Sequence, residues 1–163
     1  MWMVELSPDG DLLVHEAWPI IETEGVSVDG PCLRPPGLWL SDPLAHAETG
    51  LIVDPDVASS ALAGPLPRIV AIRFPSFTDG RGYSIARRLR EHHGYRARLW
   101  AVGEVLLDQL HLIARVGFDA FVMSERPDLR VIRRALARYP AVYQTAADGR
   151  QPAWSLRRSN RAA

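Results

Sequence analysis

The chain has 163 residues, 47% of them hydrophobic, and its 19 basic side chains balance 19 acidic ones. This size and composition predict one domain over residues 1–149 with an adequate core. Because the net charge is zero, we expect neither nucleic acid nor a membrane as a partner, so any anion site must be local. The sequence contains no apolar run of about 18 residues and no signal-peptide pattern, so we expect a cytoplasmic protein.

Several cofactors lack support in the sequence. Every basic residue is arginine, which removes the lysine-dependent phosphate-binding P-loop and the lysine Schiff base of pyridoxal phosphate enzymes. The lone Cys32 and five scattered histidines do not form the ligand spacings of zinc, an iron–sulfur cluster or an attached haem. We therefore expect no metal site. Flavin binding stays open, because flavin sites need no recognisable motif.

Residues 1–66 form an irregular segment rich in Pro and Gly. Short apolar pieces at residues 12–14, 38–40 and 51–53 are separated by turn signals, which is typical of short strands. The segment is therefore predicted to contain β-structure. Its strand pairing does not follow from the sequence.

From residue 67 to 149 the pattern becomes regular. The runs "RIVAIRF", "RARLWAV", "FDAFVM" and "AVYQ" resemble strands, and amphipathic stretches between them resemble helices. This alternation predicts an α/β fold with a mostly parallel sheet and covering helices, either flavodoxin-like or partial-barrel-like. A complete eight-stranded barrel needs about 250 residues and is not expected. The Arg-rich residues 150–163 are predicted to be a flexible tail.

The stretch "FPSFTDGRGYSIARRLR" leads from a buried strand through a loop into a helix. In one reading it is a structural turn, in which Arg81 pairs with Asp79 or Glu104. In the other, the backbone amides around Gly80 and Gly82 bind an anion, and Arg81 supplies charge-assisted hydrogen bonds. The residue chemistry alone leaves the two readings equal. The anion-binding candidates are Gly80, Arg81, Gly82, Tyr83 and Gln109.

The second predicted helix places Glu104, Asp108, His111 and Arg115 in one polar stripe. The opposite, apolar arc is expected to be buried and contains Val105, Leu106, Leu110, Leu112, Ile113 and Val116. Gln109 falls within this arc, so its amide requires partners, and backbone groups are favoured over a bound polar molecule. Three carboxylates could act as general acid or base at the carboxyl ends of the strands. These catalytic candidates are Asp79, Glu104 and Asp108.

The last predicted helix carries a strongly basic side. Its apolar positions are expected to be buried, whereas its arginines are expected to be solvated, with contact to an acidic partner as the alternative. The buried set is Leu129, Ile132, Leu136 and Tyr139, and the exposed set is Arg130, Arg133, Arg134 and Arg138.

The phrases "FTDGRGYS", "AVGEVLLDQL" and "GFDAF" resemble an uncharacterised bacterial family, domain-of-unknown-function family 934, described as oxidoreductases involved in sulfite reduction. The similarity is clearest over residues 74–121. The family pattern carries over to Asp79, Gly80, Arg81, Tyr83, Ser84, Gly103, Asp108, Gln109, Gly117, Phe118 and Asp119. The chain departs from it at Trp100, Glu104 and Val116, where Arg, Asp and Cys are common.

The resemblance implies a role in sulfur assimilation. Sulfite reduction moves several electrons and requires a redox cofactor, and the sequence supports none. The resemblance therefore implies an accessory protein that supports a cofactor-bearing sulfite reductase, by protein contact or by holding a small anionic sulfur metabolite. The alternative is a small-molecule enzyme, such as a flavin-dependent oxidoreductase, with its site at the carboxyl ends of the strands.

Overall fold

The structure is a computed structural model that describes residues 1–7, 9–24, 26, 28–41, 49–57 and 62–159. Within these ranges, seven strands form one sheet. The strands are β1 (Trp2–Leu6), β2 (Leu12–Glu16), β3 (Cys32–Arg34), β4 (Thr49–Val53), β5 (Ile69–Phe74), β6 (Arg98–Gly103) and β7 (Ala120–Met123). The helices are α1 (Pro36–Ser41), α2 (Arg81–Glu91), α3 (Leu110–Arg115), α4 (Leu129–Leu136) and α5 (Ala153–Ser159). A 3-10 turn, Leu107–Gln109, precedes α3.

The sheet has the strand order β2-β1-β7-β6-β5-β4-β3. Strands β3 to β7 are parallel and follow the order of the chain, whereas β1 pairs antiparallel with both β7 and β2. The predicted α/β fold with a mostly parallel sheet is thereby confirmed. Because the parallel strands do not reverse their order, the curled sheet is a half-barrel and not the flavodoxin-like arrangement.

Both faces of the central strands are buried, which explains their nearly continuous apolar sequences. On β5, Val70, Ile72 and Phe74 point into the core beneath the helices, and Ala71 points to the opposite face. That opposite face is covered by the segment that carries Trp18, whose ring meets Trp100 edge-on with centroids 4.9 Å apart. Trp100 therefore contributes to packing on this face of the sheet.

The helices cover the other face through apolar residues spaced three and four apart. In α2 the buried set is Gly82, Ile85, Ala86 and Leu89. In α4, Ile132 is buried and the Asp128 carboxylate caps the helix by accepting from the Arg130 amide at 2.8 Å.

The second predicted helix begins later than the sequence indicated. Glu104 directly follows β6 and is not yet helical, because its amide donates to the Phe74 carbonyl at 2.9 Å. The chain then forms the 3-10 turn at Leu107–Gln109, and α3 begins only at Leu110. The side chains of this segment therefore point in other directions than they would in one continuous helix from Glu104. As a result Leu106 and Leu112, predicted to be buried, are exposed.

Other local predictions were wrong. Residues 38–40 lie in α1 and not in a strand, and "AVYQ" forms only one isolated bridge, from Val142 to Pro152. Tyr139 is exposed because α4 ends three residues earlier, at Leu136. Within the predicted tail the structure has the helix α5, and the flexibility of the tail stays a prediction.

No helix in the described part of the chain is long and apolar enough to cross a membrane.

Candidate functional site

The carboxyl ends of β5 and β6 lie side by side and begin the candidate site. Gly103 ends β6 with φ +93°, and a Cβ atom there would lie 2.4 Å from the Phe74 carbonyl oxygen. Only glycine permits this conformation and this approach. The chain after β6 is thereby held against the start of the loop that follows Phe74.

The loop after β5 is fixed at Phe77 from both sides. The Phe77 amide donates to Glu104 Oε2 at 3.1 Å, and Gln109 Nε2 donates to the Phe77 carbonyl at 2.8 Å. We call these two hydrogen bonds the Phe77 clamp. The backbone partner predicted for Gln109 is confirmed, and Glu104 meets this loop as its position at the strand end indicated. The clamp leaves Phe77 49% exposed.

Arg81 is surrounded by carboxylates. Its Nε and Nη2 donate to Asp79, with Nη2 2.7 Å from Oδ2, and its Nη1 contacts Asp56. The Arg81 amide also donates to Asp79 Oδ1 at 3.1 Å. These hydrogen bonds lower the pKa of Asp79 and raise that of Arg81. The ion pair of the structural reading is therefore present, and Asp56 adds a partner that the sequence did not indicate.

The start of α2 uses most of its polar groups internally. Gly80 occupies the N-cap, and its carbonyl accepts from the Tyr83 amide at 3.2 Å. Gly82 is buried against the Phe74 ring, where a Cβ atom would lie 2.7 Å from Cζ. Since the Arg81 and Tyr83 amides have partners, fewer donors at this helix start are free for an anion. Anion binding by this group stays a prediction.

The three predicted catalytic carboxylates occupy consecutive parts of the same edge. Asp79 lies in the loop after β5, Glu104 accepts from the Phe77 amide of that loop, and Asp108 lies in the exposed 3-10 turn. Burial, with a smaller contribution from the Asp108 charge, raises the pKa of Tyr83. The lowered pKa of Asp79 keeps it ionised, which suits pairing with Arg81 better than donating a proton. Catalysis by these residues stays a prediction.

Two cavities adjoin this edge. The carboxyl-edge cavity, about 510 Å³, lies beyond β6 and β7 and is lined by Glu104, Leu106, Leu107, Glu125, Arg126 and Asp128 among others. The interhelix cavity, about 480 Å³, lies between α2 and α3 and is also lined by residues 144–147. Across the described residues, no three His, Cys, Asp or Glu side chains are grouped for metal ligation.

A second arginine–aspartate pair lies at the opposite edge of the sheet. Arg90 donates to Asp119 Oδ2 at 3.0 Å and to the carbonyls of Gly117, Tyr95 and Ala97. Asp119 also accepts from the Leu99 amide at 3.0 Å. Gly117 and Asp119 of the "GFD" phrase therefore have a structural role, because this cluster joins the end of α2 to the starts of β6 and β7.

The sequence contains a signal for this cluster, although Arg90 is not among the predicted site residues. Arg90 lies four residues after the buried Ala86, so it continues the apolar stripe of α2. A charged residue in an apolar stripe requires hydrogen-bond partners. The Arg90 side chain is only 10% exposed.

Comparison with known proteins gives a family. Neither the curated proteins nor the solved structures contain a match to the chain. A family model described as bacterial protein of unknown function, DUF934, matches residues 50–154. The matched range includes both arginine–aspartate pairs and the Phe77 clamp. Since it covers more than half of the 163 residues, the chain belongs to the DUF934 family of bacterial proteins.

Proposed function

We propose that this protein is an accessory component of assimilatory sulfite reduction that acts by contact with a cofactor-bearing sulfite reductase. The metabolic setting comes from the resemblance of its sequence phrases to proteins described in that process. Membership of the DUF934 family is consistent with this setting and names no activity. The choice of protein contact as the mode of action rests on the geometry of the carboxyl edge.

The observation that carries the proposal is the Phe77 clamp. Hydrogen bonds to both backbone groups of Phe77 hold the loop, while the residue remains 49% exposed. An aromatic residue whose backbone is fixed before binding loses less conformational entropy in a complex, and aromatic residues often dominate interface energies. Leu106 and Leu107 are also exposed, in the segment between Glu104 and Gln109. We call Phe77, Leu106 and Leu107 the docking rim.

The charges beside the docking rim favour a protein partner over a free anionic metabolite. Four carboxylates lie in this region, and Arg81 is bonded to two of them. An anion near Arg81 would compete with these bonds and meet the remaining negative charge. A partner with basic residues around an apolar pocket would instead complement the rim. The four carboxylates are Asp56, Asp79, Glu104 and Asp108.

The alternative is a small-molecule enzyme, such as a flavin-dependent oxidoreductase, with its site at the carboxyl ends of the strands. The carboxyl-edge cavity favours it, because the cavity has a size suited to organic ligands and Glu104 lies in its wall. An absorbance spectrum of the purified native protein tests this alternative, since a bound flavin would colour it. A flavin together with loss of turnover in folded Asp79→Asn would support the enzyme.

The test of the accessory role begins with a deletion strain. We expect the strain to require reduced sulfur and to recover growth on sulfate when the wild-type gene is restored. Normal growth of the deletion strain on sulfate would contradict the proposal.

The docking rim is tested by copurification with sulfite reductase. Phe77→Ala should reduce recovery of the reductase at least about tenfold, as is typical of a central aromatic contact. Tyr143→Ala is the matched control, because Tyr143 is 78% exposed and lies away from the rim. Circular dichroism should show that both variants fold. Equal recovery with Phe77→Ala and wild type would remove the rim from the interface.

A further inference from the structure

The interhelix cavity is separate from the exposed faces of Leu106 and Leu107. It lies between Tyr83, Arg87 and Glu91 on α2 and Leu112 and Val116 at α3. Its volume of about 480 Å³ falls in the range of cavities that bind small organic molecules. The residues that line it have no role in the function proposed above, apart from the clamp residues at one end.

The charged side chains in the cavity wall are already paired. Arg87 Nε donates to Glu91 Oε2 at 2.8 Å. Arg115 Nε donates to Asp148 Oδ2 at 3.1 Å, and its Nη2 donates to the Gln144 carbonyl at 2.6 Å. The wall therefore presents paired charges and no uncompensated cation. A charged ligand would lose its hydration without gaining a free counter-charge, which favours an uncharged one.

Tyr83 supplies one polar contact that remains open, and the buried Gln109 Oε1 atom also has no hydrogen-bond partner among the described residues. Its ring packs edge-on against Phe74, with centroids 5.5 Å apart, and its side chain is half-buried. Among the described residues, no hydrogen bond engages its hydroxyl, and the oxygen is not among the fully buried unpaired atoms. Burial raises the pKa of Tyr83, so the hydroxyl remains protonated and able to donate at neutral pH.

The rest of the wall suits a ring system. Leu112, Val116 and the alanines at 146 and 147 are apolar, and the Phe77 and Tyr83 side chains offer aromatic surface. Aromatic rings in a wall favour stacking or edge contacts with a planar ligand. We propose that the interhelix cavity binds an uncharged planar organic molecule whose carbonyl oxygen accepts a hydrogen bond from the Tyr83 hydroxyl.

The test compares three small probes by NMR titration of the full chain. Acetophenone is planar, uncharged and has a carbonyl, ethylbenzene lacks the carbonyl, and benzoate carries a negative charge. We expect acetophenone to shift the amide signals of cavity residues saturably and to bind at least about fivefold more tightly than benzoate. Tighter binding of benzoate would overturn the proposal in favour of an anion site. The absence of saturable shifts with acetophenone would also overturn it.

The hydroxyl contact is tested with Tyr83→Phe, which keeps the ring that packs on Phe74. The variant should weaken acetophenone binding about fivefold, as expected for one hydrogen bond, and leave ethylbenzene binding unchanged. Tyr143→Phe is the matched control and should change neither probe. Equal weakening of both probes, or no weakening of acetophenone, would show that the Tyr83 hydroxyl is not the contact. These readouts do not depend on sulfite reductase, so they can fail or succeed independently of the function proposed above.

Discussion

The two edges of the sheet carry the same pair of residue types in opposite settings. At the amino edge, the Arg90 side chain is 10% exposed and donates hydrogen bonds to three backbone carbonyls and to Asp119. At the carboxyl edge, Arg81 is 53% exposed, and within the described part of the chain its guanidinium contacts only the carboxylates of Asp79 and Asp56. The first pair joins elements of the fold, whereas the second shapes an exposed rim.

This difference shows that an arginine–aspartate phrase in the sequence does not identify a functional site by itself. The acceptors of the guanidinium decide its role. The part-buried carbonyls at the amino edge lose their charged donor when the arginine is removed, so the amino-edge cluster is expected to be costly to break. Exposed carboxylates regain water, and the carboxyl-edge pair is expected to contribute little to stability.

Replacement of each arginine in turn should give the largest difference in stability between the two edges. Arg90→Met is expected to lower the free energy of unfolding by about 3–5 kcal/mol, because it leaves the half-buried Asp119 without its charged partner. Arg81→Met is the matched change at the exposed pair and should have a much smaller effect. Urea unfolding of both variants measures the difference. An equal loss in the two variants would contradict the distinction between the edges.

Two glycines with positive φ allow a second, smaller comparison. Gly103→Ala at the carboxyl edge should cost about 3 kcal/mol, because the left-handed backbone strain adds to a clash with the Phe74 carbonyl. Gly94→Ala, near the amino edge, has φ +62° and open space around the new Cβ, so about 1 kcal/mol is expected. Thermal unfolding of both variants checks the order. A larger loss for Gly94→Ala would mean that the close approach at Gly103 is unimportant.

The pKa values of Asp119 and Asp79 should shift in opposite directions from the ordinary value of an aspartate. Burial is the main cause that raises the pKa of Asp119, although the Leu99 amide and Arg90 oppose it. Its contribution to stability is therefore present at low pH and is lost as the pH rises through the raised pKa. Hydrogen bonds from Arg81 lower the pKa of Asp79, whose contribution is present at higher pH and is lost as the pH falls through the lowered pKa.

Carboxyl-carbon NMR between about pH 2 and 7 measures both titrations. We expect added salt to shift Asp79 back towards its ordinary pKa more than Asp119, since exposed pairs are screened more strongly. Asp119→Asn should remove the stability change assigned to Asp119. A pKa of Asp119 below that of Asp79 would contradict the assignment.

The parallel half of the sheet could be predicted because its information is local. Strands buried on both faces have continuous apolar sequences, and the helices between them show regular apolar spacing. The first 66 residues could not be paired in this way. Trp2 lies opposite Met123, and no local pattern in β1 indicates so distant a neighbour. Residues 38–40 likewise form part of a short helix because packing on β4 overrides their short apolar pattern.

The candidate site, like the fold, could be predicted only where its information is local in the sequence. The Asp79–Arg81 pair was one of two equal readings of its loop, and a backbone partner was the favoured reading for Gln109. Asp56 could not be identified, since it comes from a separate loop after β4. The exposure of Leu106 was also missed, because the predicted helix began at Glu104 and the real chain first forms a 3-10 turn. One changed boundary was enough to turn predicted core residues into surface residues.

The pairing of β1 with β7 governs the order in which the chain can fold during synthesis. The β1–β2 hairpin leaves the ribosome long before β7, and an isolated hairpin is only marginally stable. Met3 and Val4 cannot reach their full burial until β7 arrives, so the nascent chain exposes an apolar ribbon for most of its translation. The earliest part of the sheet to be made is thus among the last to be completed, and this order follows from topology alone.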